Sequence, residues 1–374
     1  MRTFKVAAVL GLVIMLVLTA CAAPKAPSTP TTTAPPLQPV AAPSSQPSEW
    51  DKVLTAAKKE GIVTIYTSEG VETQQAWKVG MKQYGITVET VGGQGGELEL
   101  KIKTEQGAKA YTADLFAGGW TNQLSTIQAG YGQPVNVAAL PSLAEKDVWG
   151  MDPTKYDPSR SGFVTNWAIT PSIAIDTDLV RKGEIQSWQD LLDPKWRDRL
   201  VMTDPRTGSG PGASGMWIWM TLGEDFWKKM AAQRVTFQVR YDLPVNQVAF
   251  GEKSGVIFPA ITRLTAAIKA GAPLQIVHLK EGTSYNIRGV SFIKNAPHPN
   301  AALVLLNWMF SKEGQAAVCS ALESNSVRKD LTPDWLRIAE LRPVAYTLVE
   351  PANNIDLEGP RKGAEFTKKI FGAQ

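Results

Sequence analysis

The strongest constraint on the fold is a regular alternation of short apolar runs and amphipathic helical segments in the first third of the chain. Three such runs occur, at residues 62–67, 86–91 and 113–117. They are too short for helices and bounded by glycines or polar loops, so they predict buried strands. The helical segment after the first run places Trp77 and Met81 on one face. Strand, helix and strand at this spacing predict a parallel sheet with helical crossovers, which is an α/β fold.

The folded part of the chain is predicted to begin at Ser48. Ser48 and Asp51 have the spacing of a capping box, and Gly61 supplies a helix stop just before the first strand. The region from 48 to 374 is long enough for two domains, or for one domain of two lobes. Later segments repeat the α/β pattern. Two paired strands are predicted at 167–170 and 172–176, further strands at 200–203, 254–259, 275–279 and 289–293, and helices near 335–342 and 363–371.

The first twenty residues are organised as a secretory signal. Arg2 and Lys5 precede an apolar run that is too short to span a membrane, and Leu18-Thr19-Ala20 stand before Cys21. The segment resembles a bacterial lipoprotein signal, which implies that Cys21 becomes the lipidated N-terminus of a protein anchored outside the cytoplasmic membrane. An ordinary signal peptide with an incidental Cys is the alternative. Residues 21–47 are rich in Ala, Pro, Ser and Thr and predict a disordered tether.

Charge and cysteine content narrow the class of partner. The net charge is +4, and two of the positive charges lie in the signal, so there is no strong field for nucleic acid. Only Cys21 and Cys319 are present. No intrachain disulfide forms if Cys21 is lipidated, so the fold must rest on its apolar core.

Two loops at predicted strand ends are candidates for ligand contact in the first half of the chain. Ligands of open α/β sheets bind outside the carboxyl ends of the strands. This rule selects Ser68 and Glu69 after the first strand, and Gly119 and Trp120 after the third. Glycine lets the backbone approach a ligand closely, and Trp120 is placed to cover it. A plain turn is the alternative for each loop.

The glycine-rich segment at 204–215 is the strongest chemical feature of the mature chain. It follows a predicted strand and leads into a helix, so exposed N–H groups and the helix N-terminus would form an anion cradle. The candidate contacts are Arg206, Thr207, Gly208, Ser209 and Gly210. A flexible surface loop is the alternative. The G-x-G-x-x-G pattern at 210–215 is discounted as a dinucleotide site, because it lies mid-chain in an exported protein.

Three further residues complete the predicted site. Thr262 and Arg263 begin a helix beside another strand end, where Arg263 can pair with a ligand anion. An exposed salt bridge is the alternative role for Arg263. Tyr285, in the loop at 281–288, is a candidate aromatic wall.

Several short sequence segments resemble those of one protein family. They are 50–66, 113–117, 188–196, 204–215, 289 onward, and 295–302 together with 310–315. The chain resembles bacterial extracellular solute-binding proteins of the type II periplasmic-binding fold, and within them the ferric-iron and related anion binders of ABC importers. The likeness extends over 48–345.

The resemblance implies two α/β lobes with a ligand cleft between them and hinge closure around the solute. The expected lobes are 48–168 with 288–345, and 169–287 with 346–374. The expected hinge crossings are 169–176 and 289–293. The family also implies a monomer that delivers its solute to a membrane permease, without a cofactor.

One departure from the family bears on the ligand. The ferric binders carry adjacent tyrosines after a strand of the second lobe, whereas the matching stretch at 256–263 has none. His278 and His298 lie in unrelated contexts, and no cluster has metal-ligand spacing. The sequence therefore predicts an organic anion, namely a carboxylate, phosphonate or phosphate ester, and no metal site. Ferric iron or an iron chelate is the alternative.

The chain is not predicted to be an enzyme. It contains no G-x-S-x-G elbow, no H-E-x-x-H and no P-loop. A surface hydrolase with a carboxylate pair is the rival from another class, and a binding protein coupled to a sensor is a third reading.

Overall fold

A computed structural model gives the architecture, and it describes residues 48–206, 210–240, 242–342 and 358–372. The predicted signal peptide, the tether and Cys21 lie outside the described residues, as do Thr207, Gly208 and Ser209. None of the described helices is both long and apolar enough to cross a membrane.

The described strands form two sheets. In chain order they are β1 (Ile62–Thr67), β2 (Thr87–Gly92), β3 (Leu115–Gly119), β4 (Gly162–Thr170), β5 (Ile173–Asp176), β6 (Leu200–Thr203), β7 (Thr236–Gln238), β8 (Gly255–Ile257), β9 (Leu274–Val277), β10 (Ser284–Phe292) and β11 (Asn325–Ser326). The first sheet has the order β11-β4-β10-β3-β1-β2, and the second has the order β7-β6-β8-β5-β9. β1 pairs in parallel with both β2 and β3, so the parallel sheet predicted from the sequence is confirmed.

Helices connect the strands and cover both sheets. They are α1 (Glu49–Glu60), α2 (Val71–Met81), α3 (Gly95–Ala108), α4 (Trp120–Gln128), α5 (Gly210–Leu222), α6 (Glu224–Ala231), α7 (Leu243–Ala249), α8 (Ile261–Lys269), α9 (Pro299–Phe310), α10 (Lys312–Leu322) and α11 (Gly359–Phe371). The helix predicted near 335–342 is wrong, because only a short 3-10 turn forms there, at Ala339–Leu341.

The boundaries of α1 follow from local chemistry, as predicted. The Ser48 hydroxyl accepts a hydrogen bond from the Asp51 amide, and the Asp51 carboxylate accepts one from the Ser48 amide. Both donors would otherwise lack partners at a helix start. Gly61 ends the helix in the left-handed conformation, with φ of 69°, and β1 begins at the next residue.

Each sheet has its own apolar core. Helices α1, α2, α9 and α10 pack on the first sheet around Trp77, Phe163 and Trp308, all of them almost fully buried. The core of the second sheet is built around Trp188, Trp217 and other aromatic side chains. Each sheet has a second, smaller cluster as well, around Phe116 in the first sheet and around Val201 and Val256 in the second. Because each sheet is covered by its own clusters, the molecule is two-lobed, which is the predicted fold class.

Two described segments cross from a strand of one sheet to a strand of the other. β4 ends at Thr170 and β5 begins at Ile173, so one crossing is only two residues long. The other is the segment 278–283, between β9 and β10. The first crossing was predicted, but the second prediction, at 289–293, is wrong. That stretch belongs to β10 and its extension, and β10 pairs with β3 and β4 inside the first sheet.

A third segment, after β11, leads from the first lobe to Ile338 and Leu341, which pack in a core of the second. The predicted pairing of 167–170 with 172–176 is wrong, because β4 and β5 lie in different sheets.

Candidate functional site

The topology brings the carboxyl edges of the two sheets together. β4 is antiparallel to β10, which is antiparallel to β3, so β4 ends at the same edge as β1 and β3. Two residues later β5 starts beside Ile257, the last residue of β8, which is parallel to β6. The cleft between the lobes is therefore bordered by the loops that follow β1, β3, β6 and β8. These are the loops selected from the sequence.

On the first sheet, the loop after β1 is held against the loop after β3. The Ser68 amide donates to the Ala117 carbonyl at 3.2 Å, and the Glu69 amide donates to the Thr67 hydroxyl at 2.9 Å. A Cβ atom on Gly118 would lie 2.3 Å from the Ser68 hydroxyl, so this close approach requires glycine. Ser68, Glu69 and Gly119 thus lie together at the cleft edge.

Glu69 forms an ion pair that was not predicted. Its Oε1 atom accepts a hydrogen bond from Arg288 Nε at 2.7 Å, across 219 residues of sequence. The Glu69 side chain is 4% exposed and the Arg288 side chain is 37% exposed. Arg288 pairs in register with Gly119, so its guanidinium lies at the same edge of the sheet. The ion pair could not be predicted from the sequence, because its two residues are far apart in the chain and no local pattern around Arg288 indicates it.

The roles predicted for Trp120 and Tyr285 need correction. Trp120 is 2% exposed and packs beneath Gly289 and beside Tyr156, with 5.9 Å between the two ring centroids. Tyr285 is also buried, and its hydroxyl lies 3.0 Å from the Tyr156 hydroxyl. Both side chains belong to the core of the first sheet. The predicted loop at 281–288 is wrong from Ser284 onward, where β10 begins, and the pairing of β10 with β4 buries Tyr285.

On the second sheet, Arg206 is already engaged with a carboxylate. Its Nη2 and Nε atoms donate to Asp204 at 2.7 and 2.9 Å, and its guanidinium lies 5.1 Å from the centre of the Phe237 ring. These hydrogen bonds raise the pKa of Arg206. Asp204 is nearly fully buried, so the pair is a neutral unit that fixes the start of the glycine-rich loop. A ligand contact of Arg206 would have to be made beside this ion pair, and it stays a prediction.

Arg263 is the cation that this edge leaves available. Within the described residues no carboxylate lies within ion-pair distance of Arg263, which is exposed in the first turn of α8. The neighbouring Arg240 pairs with Asp242 at 2.6 Å. Hydrogen bonds from Arg240 lower the pKa of Asp242, and the charge of Arg263 lowers it further. Thr262 precedes Arg263 and is exposed as well.

Three helices begin at the cleft edges without a side-chain cap. They are α2, which follows Gly70, α4, which follows Gly119, and α8, which follows Ala260. Missing caps are not confined to these edges: α1 and α10 are capped by Ser48 and Ser311, but α6, α7, α9 and α11 also lack a side-chain cap. The uncapped N–H groups carry partial positive charge. α5 begins at Gly210 on the same edge as α8.

The two histidines have separate structural roles. The amide and ring Nδ1 of His298 lie 2.7 and 3.0 Å from the carboxylate of buried Asp114, and His278 Nε2 lies 2.7 Å from the Glu340 carbonyl. Across the part of the chain that the structure describes, no group of three or more His, Cys, Asp or Glu side chains could hold a metal ion.

Sequence comparison places this architecture among known proteins. The profile of the bacterial extracellular solute-binding protein family matches residues 76–336. A Haemophilus influenzae protein of uncharacterised function is 24% identical over 307 residues, 79% of this chain and 84% of that protein. The spermidine/putrescine-binding periplasmic protein of Salmonella typhimurium is 26% identical over 209 residues, 52% of this chain and 58% of that protein. A putative 2-aminoethylphosphonate-binding periplasmic protein of the same organism is 21% identical over 297 residues, 73% of this chain and 81% of that protein.

Solved structures share the fold at low identity. An extracellular solute-binding protein from Bordetella parapertussis has a TM-score of 0.68 at 18% identity, covering 83% of this chain and 99% of its own. Trichodesmium IdiA, in complex with iron and citrate, has a TM-score of 0.65 at 17% identity, covering 84% and 100%. Actinobacillus pleuropneumoniae AfuA, with bound fructose-6-phosphate, has a TM-score of 0.59 at 19% identity, covering 83% and 97%. The two-lobed fold, the cleft at the carboxyl edges and the family profile agree, and the chain belongs to the family of bacterial extracellular solute-binding proteins.

Proposed function

We propose that this protein captures a small organic anion, such as a carboxylate, phosphonate or phosphate ester, and delivers it to the permease of an ABC importer. The anionic group binds at the edge of the second sheet, against Arg263 and the N-termini of α5 and α8. The lobes close over it by a hinge motion at the two crossings.

The observation that carries this proposal is the charge at the cleft edge of the second sheet. Asp204 and Arg206 neutralise each other, and so do Arg240 and Asp242. Arg263 remains, without an ion-pair partner among the described residues, beside an uncapped helix N-terminus. A cation and exposed N–H groups together are suited to an anion and unsuited to a cation.

The first sheet offers a second, weaker point of contact. Arg288 is partly exposed there, and the uncapped N-termini of α2 and α4 adjoin it. Glu69 offsets the charge of Arg288, so this edge is suited to hydroxyl or other polar groups of the solute. The solutes named for relatives range from polyamines to a phosphonate and a sugar phosphate. The charge balance of this cleft favours the phosphonate and phosphate class over polyamines.

A thermal-shift screen of the protein against small anions tests the proposal. The panel contains carboxylates, phosphonates and phosphate esters, with polyamines and Fe(III)-citrate as contrasting arms. A solute at 100 times its dissociation constant stabilises the folded state by about 2.7 kcal/mol. A shift with one anion class supports the proposal. A shift with polyamines alone contradicts it, and a shift that requires iron favours the chelate alternative.

Replacing Arg263 then tests the site. Arg263→Ala is expected to weaken binding of the anion found in the screen by about 10- to 100-fold, because a charged hydrogen bond is lost. Arg234→Ala is the matched control, since Arg234 is an exposed arginine that precedes β7 at the opposite edge of the second sheet. Isothermal titration calorimetry measures both. Equal affinities in the two variants would remove Arg263 from the site.

We also propose that lipid on Cys21 anchors the protein to the outer face of the cytoplasmic membrane. The order of the basic residues, the apolar run and Leu18-Thr19-Ala20-Cys21 supports this. Cys21→Ser is expected to abolish incorporation of a labelled fatty acid and to move the protein from the membrane fraction to the soluble one. Cys319→Ser is the control, because Cys319 is buried. Membrane-bound Cys21→Ser protein would contradict the anchor.

A further inference from the structure

A small pocket in the first lobe is lined by three residues that each carry a buried polar atom without a partner among the described residues. It lies between α2, α10 and the strands β3, β4 and β10, and Glu69, Trp77 and Asn166 are among its lining residues. Glu69 Oε2, Trp77 Nε1 and Asn166 Oδ1 have no hydrogen-bond partner among the described residues. All three residues are more than nine-tenths buried. Buried polar atoms without a hydrogen-bond partner destabilise a folded protein, so a partner is expected.

The three atoms match the hydrogen-bonding capacity of one water molecule. Glu69 Oε2 and Asn166 Oδ1 are acceptors, and the indole N–H of Trp77 is a donor. A water molecule donates to the two acceptors and accepts from the donor, which gives the three hydrogen bonds typical of buried water. The space open to the centre of a water molecule is about 10 Å³. Such a volume corresponds to a single water.

A bare cation or an ammonium ion fits this set less well. Both would satisfy Glu69 and Asn166, but neither can accept a hydrogen bond from Trp77 Nε1. The Asn166 side-chain amide already donates to the Thr165 hydroxyl at 3.1 Å, which leaves its oxygen as the atom in need of a donor.

We propose that this pocket holds one structural water, which links Trp77 of α2 and Asn166 of β4 to the Glu69 carboxylate. Through this water, Asn166 and Trp77 act as positioning residues. They hold one oxygen of Glu69 so that the other, Oε1, stays aligned with Arg288 Nε at the cleft edge. The functional consequence for Arg288 rests on the proposed solute site, whereas the water itself does not.

A crystal structure of the protein at high resolution tests the water directly. The expected result is a density peak within hydrogen-bond distance, about 2.7–3.2 Å, of Glu69 Oε2, Asn166 Oδ1 and Trp77 Nε1. An empty pocket, or a peak that contacts other atoms, overturns the proposal. Soaking with rubidium chloride separates water from a monovalent cation, because an anomalous peak in the pocket would show a cation site and also overturn the proposal.

A pair of matched variants tests the positioning role. Asn166→Leu replaces the acceptor with an apolar side chain of similar size, and is expected to remove the water and to turn Glu69 or Arg288 away from their 2.7 Å contact. Asn325→Leu is the control, since Asn325 is equally buried in the neighbouring strand β11 and also has an unpartnered Oδ1. An unchanged Glu69–Arg288 pair in Asn166→Leu would overturn the positioning role. If Asn166→Leu does not fold, the wild-type crystal and the rubidium soak still decide on the water. None of these measurements uses a solute, so their failure is distinct from failure of the proposed function.

Discussion

Arg328 shows how one charged side chain fastens the segment after β11 to the first lobe. It is 4% exposed and donates to Glu145 at 2.7 Å, to Asp330 at 2.9 Å and to the Phe310 carbonyl at 3.1 Å. Its guanidinium lies 5.3 Å from the centre of the Trp149 ring. Every partner is either an anion or a carbonyl, so the burial of this charge is well compensated.

Replacing Arg328 is expected to destabilise the protein in a pH-dependent way. Arg328→Met should lower the free energy of unfolding at neutral pH by about 2–3 kcal/mol, because hydrogen bonds to a charged group are lost. Hydrogen bonds from Arg328 lower the pKa of Asp330. Their contribution is therefore present above the unfolded value of about 3.9 and is lost as the pH falls through the folded value.

Denaturant unfolding at several pH values checks this expectation. The difference between wild type and Arg328→Met should narrow as the pH falls below about 4. Arg361→Met is the control, because Arg361 is exposed and its ion-pair partners among the described residues, Glu358 and Glu365, belong to its own helix region. It should leave stability nearly unchanged. A pH-independent loss in Arg328→Met would contradict the role of the Asp330 pair.

At this scale the sequence predicted local contacts better than distant ones. The capping box at Ser48 and Asp51 was found because its partners are three residues apart. The Arg206 pair was missed although Asp204 is only two residues away, because loop position was weighed above the nearby carboxylate. Arg288 and Glu69 are brought together by sheet pairing alone, and no spacing rule reaches across that distance.

The close packing of α2 on α9 depends on a single glycine. A Cβ atom on Gly80 would lie 2.1 Å from Cζ2 of Trp308, whose side chain is almost fully buried in the core of the first lobe. Trp308 therefore occupies the space that any side chain at position 80 would need. Trp77 of α2 packs in the core of the first sheet. The distance of α2 from that sheet therefore depends on the contact between Gly80 and Trp308.

Gly80→Ala is expected to destabilise the protein by about 1–3 kcal/mol, because overpacking forces α2 and α9 apart. Gly107→Ala is the matched control, since Gly107 lies in α3 and an added Cβ atom would meet nothing within 4 Å. That change should stabilise the protein by about 0.4–1 kcal/mol. Thermal and denaturant unfolding measure both. Similar effects in the two variants would show that helix propensity, and not the Trp308 contact, decides the outcome.

Elements were predicted more accurately than their assignment to a sheet. β1, β2, β3 and α1 lie close to their predicted positions, because short apolar runs and helix stops are local signals. The segment 289–293 is a strand, as predicted, but it lies inside the first sheet and does not cross between the lobes. The apolar pattern of a strand predicts which of its residues are buried, but it does not predict which strands it pairs with.

The two crossings that join a strand of one sheet to a strand of the other are tied to one another. Ser172 donates to the Gly282 carbonyl at 3.3 Å, Thr283 donates to the Thr170 carbonyl at 2.6 Å, and Asn286 donates to the Thr170 hydroxyl at 2.8 Å. Because each crossing is held to the other, we expect them to bend as one ribbon. Such a hinge permits rotation of one lobe against the other with little change inside either lobe.

Distance measurements between spin labels test this motion. Labels at Leu100→Cys on α3 and Met220→Cys on α5, both exposed positions, should move closer when the anion is added. Labels at Leu100→Cys and Val79→Cys, both in the first lobe, should keep their distance. Burial raises the pKa of Cys319 to about 12, so it will not take up label, and Cys21 is replaced by Ser. An unchanged distance between the lobes would contradict hinge closure.

The shortness of the first crossing has a consequence for how this protein can diversify. Its hinge is made from backbone pairing and a few small hydroxyl and amide side chains, and none of them is among the candidate solute contacts. The candidate contacts lie on loops that end other strands. If the proposed site and hinge are correct, mutation of a contact loop can alter which solute binds without altering the hinge. On the proposed site and hinge, we expect related proteins to change solute specificity by substitutions in one loop at a time, with hinge closure kept at each step.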